Sequence, residues 1–224
     1  MLVIIQARLS SKRLPGKVLK KINGVEIIKH IIRNLNYVKY NLNIVVATSN
    51  NKSDKKLVNF LKKNNITYFC NSLNNVLIRL LKCALKHKAK YFIRINGDSP
   101  FIDYRIVEKF ITFFNKNSSK YDLITNVFPR TFPSGQSIEI IKTSCLEKIS
   151  KKKLLDRHKE HATKFMYENN KFFKIKNIKN IKNLSNYSLS VDTKEEFILY
   201  KKRLKRNLLS KNYTFQKILN IIYK

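Results

Sequence analysis

The chain has 224 residues, 43% of them hydrophobic, which is enough to bury one α/β core. No apolar run reaches the roughly 18–20 residues needed to span a bilayer, and Leu2-Val3-Ile4-Ile5 is shorter than a signal-peptide core of about 7–15 residues, so a cytoplasmic protein without membrane insertion is expected. The formal charge of +33 would suit a polyanion, but the lysines are scattered without interleaved aromatics, which argues against a specific nucleic-acid surface and for a lysine excess of the kind AT-rich coding produces.

In chain order, Leu2–Ile5 reads as a strand that runs directly into a basic loop, Gln6 to Lys17. Ile44–Thr48 and Thr67–Phe69 follow as strands, with a helix between them that begins at Ser53-Asp54 and carries Leu57, Val58 and Leu61 on one face. Asn74–Lys86 is helical, with Val76, Leu77, Leu80, Leu81 and Ala84 in phase. Tyr91–Ile95 is a strand, Asp103–Asn115 a helix and Asp122–Thr125 a strand. After the breaks at Pro129, Pro133 and Gly135, Ser137–Ile141 alternates like a strand and Asp156–Tyr167 reads as one helix. The near-repeat around Ile175, Ile178 and Ile181 is expected to be a low-complexity connector over about 174–184. Tyr187–Val191 is then a final strand, Lys194–Leu208 a long helix, and Phe215–Ile222 a short one. Alternating strands and helices predict a single α/β domain, a mainly parallel sheet flanked by helices, with ligands beyond the carboxyl ends of the strands. Cys70, Cys83 and Cys145 lack CxxC spacing and read as packing residues, while His30, His87 and His158 read as surface residues.

Two places carry chemistry. The loop Gln6-Ala7-Arg8-Leu9-Ser10-Ser11-Lys12-Arg13-Leu14-Pro15-Gly16-Lys17 has four cations, two serines and a glycine after a strand, fit to wrap a triphosphate or equally to be a solvated basic loop. It is neither a Walker A loop nor a GxGxxG loop. Asp98 and Asp192 each end a strand, where a carboxylate either holds a hard cation such as Mg²⁺ or caps the next helix.

The segments IIQARLSSKRLPGKVL, RINGDSP, NVFPRTFPSGQSIEI, KEHATKF and SVDTKEEF, in that order, resemble the spore coat polysaccharide biosynthesis protein F family of cytidylyltransferases, which is similar in turn to CMP-sialate and CMP-KDO synthetases. The resemblance implies a fold of the nucleotide-diphospho-sugar transferase type, Rossmann-like and often a homodimer, acting on CTP and an acidic sugar. It implies that Arg8, Arg13 and Lys17 meet the phosphates, with Ser11 in the same loop. Ala7 and the Ala47-Thr48-Ser49 stretch would lie near the nucleoside, and Ser72 and Arg79 near base or ribose. Asp98 and Asp192 match the metal-binding aspartates, and Arg8, Lys17, Asp98 and Asp192 form the implied catalytic set. Arg130, Gly135, Glu139, Glu160 and His161 match the sugar side. Ser10, Lys12, Gln136-Ser137 and Lys159 depart from the family pattern. A related nucleotidyltransferase or glycosyltransferase, and a basic nucleic-acid-binding module, are the alternatives.

Overall fold

Strand β1, Leu2–Gln6, is apolar on both faces because it lies in the interior of a sheet covered on both sides by helices. The computed structural model describes residues 1–117, 120–204 and 213–224. After β1 come a two-stranded hairpin, β2 (Lys21–Ile22) and β3 (Val25–Glu26), then helix α1 (Ile27–Leu35), β4 (Asn43–Ser49), α2 (Lys55–Lys63), β5 (Tyr68–Asn71), α3 (Val76–Lys86), β6 (Tyr91–Asn96) and α4 (Tyr104–Asn117). The second half adds β7 (Leu123–Thr125), β8 (Glu139–Lys142), α5 (Thr143–Ser150), α6 (Asp156–Glu160), α7 (Lys164–Glu168), β9 (Ile175–Asn177), α8 (Lys194–Arg203) and α9 (Phe215–Tyr223).

The main sheet has the order β5-β4-β1-β6-β8-β7-β9, and within it β8 alone runs against the others. Val3, Ile5, Ile93 and Ile95 pack beneath α1, α4 and α9, while Leu2, Ile4, Val45, Ala47 and Phe92 pack beneath α3 and α5. The chain moves from β1 outward to β4 and β5, then returns to place β6 on the other side of β1. Strand order therefore reverses between β1 and β6, and a crevice opens at their carboxyl ends.

Several sequence expectations are corrected. Tyr187–Val191 is extended but joins the sheet's neighbourhood only through a single bridge from Ser188 to Ser134, because Val191 N–H donates to Asp98 O and not to a strand ladder. The expected helix Asp156–Tyr167 is two short helices, α6 and α7, broken at His161. The expected connector contributes β9, a parallel edge strand on β7, with Ile178 buried and Ile181 fully exposed, so its isoleucines share no helical face. Helix α8 ends at Arg203 with Leu204 already extended, and 205–208 of the expected Lys194–Leu208 helix lie outside the described residues. His30 and His158 are buried: His30 Nε2 bonds Ile22 O at 2.9 Å, and His158 Nε2 bonds Glu168 at 2.7 Å.

Gly135 is the tightest of these placements. Its φ of +83° suits glycine, and a Cβ there would stand 2.5 Å from the backbone carbon of Leu189. The backbone of 187–191 thus lies directly on 134–136, with Ser134 N–H to Tyr187 O at 3.0 Å and Leu189 N–H to Ser134 O at 2.8 Å. Gly135→Ala should lower stability by more than about 1 kcal/mol, about 2–4 °C in Tm, in a thermal melt. An unchanged Tm would show that the 187–191 segment can give way.

Candidate active site

At the carboxyl ends of β1 and β6 the backbones approach closely. Gly97 N–H donates to Gln6 O at 2.9 Å, and a Cβ on Gly97 would lie 2.7 Å from that oxygen and 2.9 Å from the Ala7 Cβ. Only a glycine facing a small residue lets the chain turn here and send Asp98 into the crevice. The basic loop after β1 is anchored from beneath by Asp54, a fully buried residue whose Oδ1 accepts from Leu9 N–H at 2.6 Å and whose Oδ2 accepts from the Ser49 hydroxyl and N–H. Gly16 closes the loop with φ +68°, its N–H donating to Leu9 O at 2.9 Å.

Between loop and sheet lies a cleft of about 1070 Å³, lined by Ala7, Arg8, Ser11, Lys12, Arg13, Lys17, Arg79, Asp98, Asp156, Lys159, Glu160, His161 and Asp192, among others. Lys17 Nζ donates to Asp98 Oδ2 at 2.8 Å and to Asp192 Oδ1 at 2.7 Å, and Arg13 Nη2 lies 3.3 Å from the same Asp192 oxygen. Burial opposes the Lys17 charge, but the two carboxylates outweigh it and raise its pKa above the ordinary lysine value. Burial likewise opposes the Asp192 charge, and Lys17 and then Arg13 outweigh it, lowering that carboxyl. Neither aspartate caps a helix. Thr193 caps α8 in a reciprocal capping box with Glu196, and Glu196 also accepts from Asp192 N–H at 2.6 Å, while α4 begins at Tyr104, well past Asp98. Both carboxylates are therefore left to the cleft.

Among the described residues no group of three or more His, Cys, Asp or Glu side chains is gathered to hold a metal. Asp98 and Asp192, converging within hydrogen-bond distance of one ammonium, offer two hard oxygen donors. That suits Mg²⁺, which is bound through one or two carboxylates with substrate phosphates and water completing the shell.

Other expected nucleotide contacts divide. Ala7, Arg8, Ser11, Arg13, Lys17 and Arg79 line the cleft. Arg8 Nη2 pairs with Glu160 Oε1 at 2.9 Å, tying the loop to α6. Arg79 is buried, donating from Nη1 to Ser72 O at 2.8 Å, and burial followed by the charge of Arg8 lowers its pKa to about 10. Thr48 does not reach the cleft. It is fully buried within β4, whose last three residues are Ala47-Thr48-Ser49. Ser72 also stands back from the cleft, where its hydroxyl accepts from Asn75 N–H at 3.1 Å and its carbonyl holds Arg79.

A second cavity of about 510 Å³ adjoins the cleft and shares Asn96 and His161 with it. Its lining includes Arg94, Phe128, Arg130, Ser137, Glu139, Lys164, Tyr167 and Glu168. Phe128 and Tyr167 stack with ring centroids 4.7 Å apart, and Arg130 Nη1 donates to Ser137 Oγ at 3.0 Å. Burial lowers the pKa of Arg130, which has no carboxylate within ion-pair distance among the described residues. Glu139 is buried and already engaged: Oε2 accepts from Arg94 Nη1 at 2.6 Å and Oε1 from the Tyr167 hydroxyl. Burial and then Glu139 raise the Tyr167 pKa. Of the expected sugar-side residues, Arg130, Glu139 and His161 line this cavity and Glu160 the main cleft, whereas Gly135 lines neither and acts through its packing on Leu189. Sequence reasoning missed Arg94, although a charged residue inside the apolar strand Tyr91–Ile95 was the available signal. It also missed Asp54, which looked like an ordinary helix start.

A basic loop after the first strand of a mainly parallel α/β sheet thus faces two carboxylates at the reversal of strand order, an arrangement suited to a phosphate-bearing ligand. Residues 2–218 match the cytidylyltransferase family, and the chain belongs to that family. It is 31% identical over 203 residues to the spore coat polysaccharide biosynthesis protein SpsF of Bacillus subtilis, covering 88% of this chain and 82% of that protein. A solved cytidylyltransferase from Leptospira borgpetersenii superposes with a TM-score of 0.91 at 32% identity over 99% of this chain and 93% of that one. A CMP-2-keto-3-deoxy-manno-octonic acid synthetase complexed with CTP shares the fold at a TM-score of 0.68 and 18% identity, over 90% of this chain and 97% of that one.

Helices α6 and α7, which flank His161, are clamped by Glu168, whose carboxylate takes His158 Nε2 at 2.7 Å and Arg157 Nε and Nη2 at 3.2 and 3.3 Å. The His158 contact, then Arg157, lowers the Glu168 pKa from 4.5 to about 2. The contribution of this carboxylate to stability is therefore complete above 4.5 and is lost as pH falls toward 2. Glu168→Gln should flatten the fall in stability over that window in denaturant titrations at stepped pH. An acid limb identical to the parent's would show that Glu168 is not linked to folding.

Proposed function

We propose that the chain transfers a cytidine monophosphate group from CTP to an acidic sugar of the ulosonic acid class, releasing pyrophosphate, for surface polysaccharide synthesis. The observation that carries this reading is the adjacency of two compartments. A cationic cleft bearing Asp98 and Asp192 shares Asn96 and His161 with a cavity whose Arg130 is in no ion pair among the described residues. A guanidinium in that setting can grip a sugar carboxylate with two parallel hydrogen bonds. The relatives fit the same chemistry: 8-amino-3,8-dideoxy-manno-octulosonate cytidylyltransferases of Shewanella are 28% identical over 125 residues, 55% of this chain and 51% of theirs.

In this reading the triphosphate lies along Arg8, Ser11, Arg13 and Lys17, and Arg79 faces the nucleoside. A sugar hydroxyl from the second cavity attacks the α-phosphorus in line. The bond from sugar oxygen to phosphorus forms as the hydroxyl gives up its proton to solvent, the bond from phosphorus to the oxygen bridging to the β-phosphate breaks, and pyrophosphate leaves with that electron pair. Asp98 and Asp192 would hold Mg²⁺, which when bound offsets triphosphate charge and the charge developing on the leaving group. Lys17, held between those carboxylates, carries an ammonium toward the same phosphates, and most of the rate comes from positioning and charge. The enzyme is proposed to act in the cytoplasm as a homodimer. Among the described residues no helix is long and apolar enough to cross a membrane, and Phe172, 83% exposed, is apolar surface that pairing could cover.

Pyrophosphate release with CTP across a panel of acidic sugars, set beside the other nucleoside triphosphates, tests the reading. Turnover with CTP and one ulosonic acid is the expected result, and release with no acidic sugar would refute it. Asp98→Asn should lower turnover by at least about a hundredfold with little change in Tm, because the side chain keeps its size and loses its charge. Arg13→Ala should weaken CTP more than CMP in calorimetric titrations, since the β- and γ-phosphates are the groups that cation neutralises. Equal losses would show that the loop does not read the triphosphate tail.

A further inference from the structure

Gln6 is the last residue of β1, in register with Asn96 of β6 and with Ala47 of β4. It is one of the residues lining the main cleft, and its backbone carbonyl receives Gly97 N–H, so it sits beside the turn that carries Asp98. The amide oxygen of Gln6 accepts from Arg94 Nε at 2.8 Å. An arginine side chain can only donate, so this contact dictates which way the amide faces: Oε1 toward Arg94, and the NH₂ group away from it. That NH₂ has no hydrogen bond among the described residues. Arg94 is itself held, because Nη1 donates to Glu139 Oε2 at 2.6 Å and to Thr163 Oγ1 at 3.2 Å, and the pair is almost wholly buried, with side chains 10% and 7% exposed. The Tyr167 hydroxyl occupies the other Glu139 oxygen. A chain of contacts thus runs from the wall of the second cavity, through Arg94, to one amide donor on the floor of the cleft.

We propose that Gln6 is a nucleotide-binding residue whose amide NH₂ donates to an oxygen of the α-phosphate, and that Arg94, braced by Glu139, is the positioning residue that fixes this donor. The inference rests on the cytidylyl-transfer reading and deepens it. The α-phosphate is the group that must lie at the junction of the two compartments, and Asn96, the register partner of Gln6, is shared by both. A preset donor at that point meets charge that shifts onto the α-phosphate oxygens in the transition state, without reorganising when the reaction occurs. Glu139, with both oxygens taken, acts through Arg94 and not on the acceptor.

The test compares CTP, CMP and cytidine binding by calorimetry in the parent, in Gln6→Met, and in the double variant Arg94→Met/Glu139→Met. The methionine is neutral and of similar length, so no charge is added near the phosphate. The double variant removes a buried pair together, which folds tolerate better than removal of one partner. Gln6→Met should weaken CTP and CMP alike by about tenfold, the scale of one hydrogen bond to a charged group, and leave cytidine unchanged. The double variant should weaken CMP in the same direction, again with cytidine unchanged, because Gln6 remains but its amide is no longer held. Unchanged CMP affinity in Gln6→Met overturns the assignment of the donor, and unchanged CMP affinity in the double variant overturns the role of Arg94. A parent that binds neither CTP nor CMP overturns the cytidylyl-transfer reading instead, so the failures are distinct. Should Gln6→Met not fold, the double variant decides the proposal by the same readout.

Discussion

One ammonium group joins three distant pieces of the chain. Lys17 lies in the loop after the first strand, Asp98 in the turn after β6 and Asp192 just before α8, and the two carboxylates meet on its Nζ. Two carboxylates brought this close without a cation would repel in a partly desolvated cleft, so the convergence of the three segments depends on positive charge between them. The reversal of strand order between β1 and β6 makes room for this meeting. The fold supplies the remaining alignment through backbone contacts, notably Val191 N–H to Asp98 O at 2.8 Å, which holds the two aspartate-bearing segments side by side.

Support for the site comes from residues that act through the backbone they anchor or allow to turn. Asp54 anchors the loop from below, Gly97 permits the turn, and Gly135 lets the 187–191 segment lie flat on its neighbour. Each is buried or closely packed, and each places a charged side chain belonging to another residue. On the opposite wall a buried arginine and glutamate do similar work across two antiparallel strands, where Arg94 and Glu139 are direct cross-strand partners.

Much of this was legible in the sequence because it depended on local pattern. The apolar run of β1, the in-phase leucines of α3 and the punctuation of Gly97 before Asp98 all encode their own geometry. Other features depended on distant partners and left only faint local marks. Tyr187–Val191 alternates like a strand, yet its neighbours are Ser134 and Asp98, so no ladder forms. Ile175–Asn177 resembles filler, yet β7 was open on one side and took it as an edge strand. Thr48 was expected near the nucleoside, yet its side chain lies inside β4, which runs on to Ser49 before the chain turns. Whether Asp192 caps α8 turned on the side chain of Glu196, which joins Thr193 in closing the helix, so that the aspartate side chain meets Lys17 and Arg13 in the cleft instead.

The two compartments meet at a common boundary formed by Asn96 and His161. A molecule made by joining the contents of both would be held at two points at once. Once one end lets go, the other keeps it at a high local concentration, so rebinding competes with escape. The joined molecule would then leave more slowly than either of its parts, and the step that limits such an enzyme would shift from making the bond to parting with the product.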